Sequence, residues 1–260
     1  EIVDEDHAKL ARARIALRGQ APGTDALIAA VPKDLAGDPG LAYDRFMWRV
    51  KKGLRDDAKA LLLEQSLISG GLGYPDRWAS YRRSFAREEM RTGSPETAYS
   101  MASRHQLTEG GDYADLEWLS GFIALRYLKD PELALHHFER LEEAVQTPIS
   151  VGRAGYWRGR ALEALGRSEE AMAAYREGGS QQTTFYGLLA AEKAGMPFDL
   201  TLAGQTQGAP WQETALAGSD LRAAVMLLRA AGQAFEAERF LRHMAETASE
   251  AELMSLGRMV

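Results

Sequence analysis

The sequence predicts an all-α fold in which helical hairpins stack into a curved superhelix, an α-solenoid. Three observations carry that expectation. Apolar residues recur at three- and four-residue spacing along most of the chain, and alternating strand patterns are scarce. Prolines stand where helices begin rather than inside them. A glycine-then-alanine signature repeats at intervals of about one helical hairpin.

Taken in order, Asp38-Pro39 opens a helix whose apolar stripe is Tyr43, Phe46, Met47 and Val50. Trp78, Tyr81 and Phe85 form the next stripe, and Ser94-Pro95 starts the helix after it. From Leu116 to Leu128 two stripes coexist: Leu116, Leu119 and Ile123 on one side, Trp118, Phe122 and Leu125 on another. A helix apolar on two sides is packed on two sides. Asp130-Pro131 begins its successor, and an extra helix is expected around Thr183–Ala194. Val225, Met226 and Leu228 lie in a further helix flanked by alanines, which cost no side-chain entropy. Ser249 and Glu252 have capping-box spacing. In all, about fourteen helices are expected, with ends uncertain by about 2–4 residues.

The repeat explains the stacking. Gly53/Ala58, Gly93/Ala98, Gly166/Ala171 and Gly232/Ala237 share one spacing, with Lys129/Ala134 as a variant. Four positions after the alanine stand Leu62, Phe138, Tyr175 and Leu241, Ala102 being the exception. The glycine ends one helix in a left-handed conformation, and the alanine lets the next helix lie close. Such a hairpin cannot bury its apolar faces alone, so several must stack. The domain reading is a hairpin solenoid over 1–195, then its continuation to 260 after a loop at 196–210. The last segment, Ser249–Val260, leaves Leu253, Leu256 and Val260 on one face with nothing following to cover it. That face creates the expectation that the polypeptide was cut before a further C-terminal domain, and a first residue that is Glu rather than Met the separate expectation of a removed signal peptide or a cut at the N-terminus.

Composition narrows the chemistry. With 260 residues, 45% hydrophobic and 26% charged, the chain is a globular one with material for a sizeable core. The absence of cysteine removes disulfides, Cys-bearing zinc sites, iron–sulfur clusters and thiol catalysis. A net charge of −6 without a basic stripe argues against nucleic acid, and no apolar run reaches the length of a membrane span. The five histidines lack chelating helical spacing, so neither a metal nor a cofactor is assigned; Glu132, His136 and Glu139 read as a solvated face. Gly70-Gly71-Leu72-Gly73 lacks the residues of a phosphate loop and reads as a turn. Arg83, Arg87 and Arg91 read as a solvated stripe beside Glu88. No catalytic residue is assigned.

One stretch is more specific. DLEWLSGFIALRYLKDP (Asp115–Pro131), ALHHF (Ala134–Phe138), TPISVGRAGYWRGRALEALG (Thr147–Gly166) and TTFYGLLAAEKAG (Thr183–Gly195) follow one another over roughly 85 residues. In order and spacing they resemble the superhelical, tetratricopeptide-like domain that precedes the catalytic domain of soluble lytic murein transglycosylases. That resemblance implies a periplasmic location and, as partners, peptidoglycan glycan strands, the protein's own C-terminal catalytic domain and other cell-wall proteins. The family cleaves between N-acetylmuramic acid and N-acetylglucosamine and forms 1,6-anhydro ends. Its catalytic Glu-Ser motif and Gly-Leu-Met-Gln stretch are absent here, so the chain looks like the non-catalytic part, inactive alone.

If Gly121 and Gly159 occupy the small helix-contact positions of that pattern, one face presents Asp115, Trp118, Arg153, Tyr156 and Arg160. Aromatic rings stack on sugars and arginines pair with stem-peptide carboxylates. Phe185 and Tyr186 are a second candidate pair, as ring closure or as anchors for the catalytic domain. Trp118 and Tyr156 also read as inter-helix core, with Arg160 paired to Glu163. The competing functional reading is a stand-alone tetratricopeptide-like scaffold for a peptide or protein.

Overall fold

The computed structural model describes residues 4–203 and 208–259. Among the described residues fourteen α-helices form and no strand does, so the fold is all-α. Two compact units divide the chain, residues 1–198 and 199–260. The first holds α1 (Glu5–Arg18), α2 (Thr24–Ala29), α3 (Pro39–Lys51), α4 (Arg55–Ser66), α5 (Pro75–Thr92) and α6 (Pro95–Ser103). It continues through α7 (Gly110–Ile123), α8 (Pro131–Glu143), α9 (Pro148–Ala164), α10 (Ser168–Gly179) and α11 (Phe185–Lys193). The second holds α12 (Asp220–Ala230), α13 (Ala234–Thr247) and α14 (Glu250–Met259). No helix among the described residues is long and apolar enough to cross a membrane.

Local chemistry sets the helix starts. Asp38 accepts the Leu41 N–H at 2.7 Å, Asp130 the Leu133 N–H at 2.9 Å and Ser94 the Thr97 N–H at 3.3 Å, each satisfying a donor with no intrahelical partner. Ser249 and Glu252 bond reciprocally, with the Ser249 N–H donating to the Glu252 carboxylate at 2.9 Å. At the ends, Gly53, Gly166 and Gly232 are left-handed with φ of 75°, 74° and 73°, and Lys129 takes the same conformation at 59°. Gly93 departs from the expectation. Its φ is −120°, because only Gly93 and Ser94 separate α5 from α6 and the backbone runs extended straight into the Ser94 cap.

Successive helices pack on their chain neighbours, α7 on α8, α8 on α9, α9 on α10 and α10 on α11. The repeated alanines Ala58, Ala98, Ala134, Ala171 and Ala237 are all buried. Gly121 lies against the ring of Phe138, and Gly159 against the ring of Tyr175, so each aromatic residue four past the alanine rests on a glycine of the helix before. Closer still, a Cβ on Gly155 would stand 2.6 Å from the Gly178 backbone. With Gly159 facing Tyr175 and Gly155 facing Gly178, α9 and α10 run antiparallel.

The first unit has three apolar clusters. Leu10, Leu17 and Leu41 centre one, and Phe46, Leu62, Trp78, Phe85 and Met101 a second. Phe138, Tyr156, Trp157 and Tyr175 centre the third. Helix α7 serves two of them, giving Leu119 and Ile123 to the second and Trp118 and Phe122 to the third. It does not continue as an α-helix to Leu128. Ala124–Leu128 form a wider π-helical turn that closes on left-handed Lys129.

Arg82 of α5 is fully buried and has no carboxylate partner among the described residues. Its guanidinium donates to the Met101 carbonyl and to the Ser66 hydroxyl, each at 2.6 Å, at the C-terminal ends of α6 and α4. Helix ends carry partial negative charge, which offsets the cation. Burial still draws its pKa down to about 10.

In the second unit, Leu216, Val225, Ala237, Met244 and Leu256 form one small core. This corrects the expectation of an uncovered final face at Leu256. Leu256 is 5% exposed because α12, α13 and the short turns at Trp211–Glu213 and Ala215–Gly218 enclose it, whereas Leu253 is 42% exposed. Val260 lies outside the described residues.

The glycines yield opposite outcomes. Gly155→Ala gains about 1 kcal/mol of helix propensity, yet it forces two backbones apart and is expected to destabilise by about 2 kcal/mol net. Gly257→Ala, on α14 where a Cβ meets open space, should stabilise by about 0.5–1 kcal/mol. Denaturant unfolding followed by circular dichroism measures both.

Candidate functional site

The residues singled out by sequence fall into two groups. Arg153 of α9 donates to Asp115 of α7 at 3.1 Å, and its guanidinium lies over the Trp118 ring at 5.5 Å. Arg83 of α5 reaches Asp115 at 3.5 Å and also pairs with Asp112, so that arginine is bound across to α7 rather than free in a solvated stripe. Trp118 is half-buried, stacked with Phe122 at 5.4 Å and edge-on to Trp157 at 6.2 Å. Its indole N–H is buried without an acceptor among the described residues.

Tyr156 anchors the second group. It is buried, 5.6 Å from the ring of Tyr186, and Phe185 stands edge-on to Tyr186 at 5.2 Å while remaining 70% exposed. Arg160 donates to the Tyr156 hydroxyl at 2.9 Å and its Nε stands 3.4 Å from Glu163. Glu163 also accepts from Tyr175 and Lys193, each at 3.0 Å. Burial pushes the Glu163 carboxyl up, but the bonds from Lys193 and Tyr175 outweigh it and hold it below its ordinary value. The Tyr175 phenol moves up, through burial and its contact with that carboxylate.

Chemically, this is a row of guanidinium groups laid over aromatic rings. The faces of Trp118 and Tyr156 each carry an arginine, so a ligand meets guanidinium edges there and a bare ring at Phe185.

Behind the row lies a network that sequence reasoning missed. Glu117 is fully buried on α7. The Leu107 N–H donates to His105 Nδ1 at 3.0 Å, which leaves the proton on Nε2 to donate to Glu117 Oε1 at 3.0 Å. His137 Nδ1 donates to Oε2 at 2.6 Å, and its Nε2 accepts the Tyr99 hydroxyl at 2.8 Å. Arg140 completes the set, with Nη2 2.9 Å from Oε1 and Nε donating to Tyr113 at 3.1 Å. A signal existed: a helix apolar on two sides leaves Glu117 and Ser120 little face on which to be exposed. Among the described residues no group of three histidines or acids is placed to hold a metal ion.

No family model matches the chain, and no curated protein and no solved structure matches it. The geometry defines a class, an all-α chain of paired helices with an arginine–aromatic row on α7, α9 and α11.

Burial raises the Glu117 pKa, but the hydrogen bonds of His105 and His137 and the charge of Arg140 outweigh it and bring it to about 2. A carboxyl more acidic in the folded than in the unfolded chain stabilises above its unfolded value of about 4.3, and this is lost as pH falls towards 2. Denaturation midpoints measured from pH 7 to pH 2 should therefore drop below about pH 4.5. Glu117→Gln should cost about 3–5 kcal/mol at neutral pH, as for breaking a buried ion pair, and should flatten that acid limb.

Proposed function

We propose that the chain is the non-catalytic helical domain of a periplasmic peptidoglycan lytic transglycosylase. In this reading it winds its hairpins into a superhelix that positions the glycan strand, or docks the catalytic domain that cleaves it to 1,6-anhydro products. The observation that carries the reading is the row itself. Asp115, Trp118 and Arg153 come together, as do Tyr156 and Arg160, within the stretch that bears the resemblance, and guanidinium edges suit the carboxylates of stem peptides. The packing of α7 to α11 in chain order supports a wound array.

A second reading, a scaffold for a peptide or protein partner, is favoured by exposed apolar side chains where α9 and α11 begin. Ile149 and Phe185 are each 70% exposed and Leu188 is 45% exposed. Co-sedimentation with purified sacculi separates the two. The chain is expected to sediment with sacculi and to release no muropeptides, and Arg153→Ala should weaken binding about tenfold, a loss of about 1.4 kcal/mol. A chain that stays in the supernatant would retire the glycan reading in favour of the scaffold.

A further inference from the structure

A cavity of about 490 Å³ lies between the first turns of α3 and α5 in the first unit, apart from the row on α7, α9 and α11. We propose that it binds a small monocarboxylate with an aromatic or apolar body.

Its donors are the first argument. Arg14 is clamped from behind: Nε donates to buried Asp44 at 2.8 Å and Nη1 to Asp38 at 3.2 Å, which leaves Nη2 without a partner among the described residues. Asp44 is shared with Arg18 at 2.8 Å, so its charge is already divided between two cations. The Arg14 guanidinium lies flat on the first turn of α3, at a point where a Cβ on Gly40 would overlap it. Gly40 is the second residue of that helix, after Pro39, which has no N–H, and before Leu41, whose N–H goes to Asp38. The Gly40 N–H has no partner among the described residues, and Gly40 lines the same cavity at the positive end of a helix.

Charge and shape supply the rest. Arg77, across the cavity, has no carboxylate partner among the described residues; its guanidinium lies 5.0 Å from the Tyr74 ring and 6.0 Å from the Tyr43 ring. Among the described residues the carboxylate in the lining is Asp38, whose Oδ1 accepts from both Leu41 and Arg14. One uncompensated cation and an unused backbone donor suit a monoanion better than a phosphate dianion. The tyrosine rings and buried Leu72 offer apolar wall to the body of the ligand, in a space of the size that small-molecule sites occupy.

Benzoate is the probe, titrated into the full chain and followed by saturation-transfer NMR, with benzamide and acetate as controls. Binding should saturate with a Kd on the order of a millimolar, which for nine heavy atoms is about −0.5 kcal/mol per atom. Benzamide, lacking the charge, and acetate, lacking the ring, should each bind about tenfold more weakly or worse. Arg77→Gln should weaken benzoate about tenfold, Arg77→Lys should restore part of the loss, and Tyr74→Ala should also weaken it. Both side chains are exposed, so these variants keep the fold. No saturation by about 10 mM benzoate, equal binding of benzamide or acetate, or a Kd unchanged by Arg77→Gln would each overturn the proposal.

Discussion

A carboxylate without access to water organises the middle of the first unit. Buried and unpaired, Glu117 would cost several kcal/mol; instead the histidine of one linker, a histidine and an arginine of α8 and, through His137, a tyrosine of α6 converge on it. Those bonds fix the height and rotation of α7. Asp115 and Trp118 flank Glu117 in sequence, so the network also decides where the arginine–aromatic row begins. The two apolar clusters that share α7 are registered to each other by the same residue.

Small residues then set how near the helices come. On α9, Gly152, Gly155 and Gly159 meet the Thr184 hydroxyl, the Gly178 backbone and the Tyr175 ring in turn, so one helix presents three close contacts along its length. That proximity brings Tyr156 and Trp157 within about 6 Å of Tyr186. It gives α11 its place in the row. The guanidinium groups of Arg153 and Arg160 cover what the aromatic cluster leaves open.

Much of this was legible where the physics is local or periodic. Asp38, Ser94, Asp130 and Ser249 cap helices through bonds to residues three positions on, and the buried alanines repeat with the hairpins. Arg160 with Tyr156 and Glu163 was equally accessible, since all three share one helix. The bonds of Glu117 to residues 12 and 20 positions away were not, nor the pairing of Arg153 with Asp115 across 38. Periodicity states that a face is buried; it does not name what meets it. Leu256 illustrates the same limit, because its cover comes from short turns that carry no periodic signal.

Arg82 stands in contrast to Glu117. Both are buried charges at a junction of three helices, but one is balanced by titratable side chains and the other by a carbonyl and a hydroxyl. Neither of those acceptors has a proton to gain between neutrality and strong acid. The contacts of Arg82 are therefore blind to acidification while those of Glu117 sense it. Within one continuous unit, the chain carries a pH-responsive buried charge beside a pH-indifferent one.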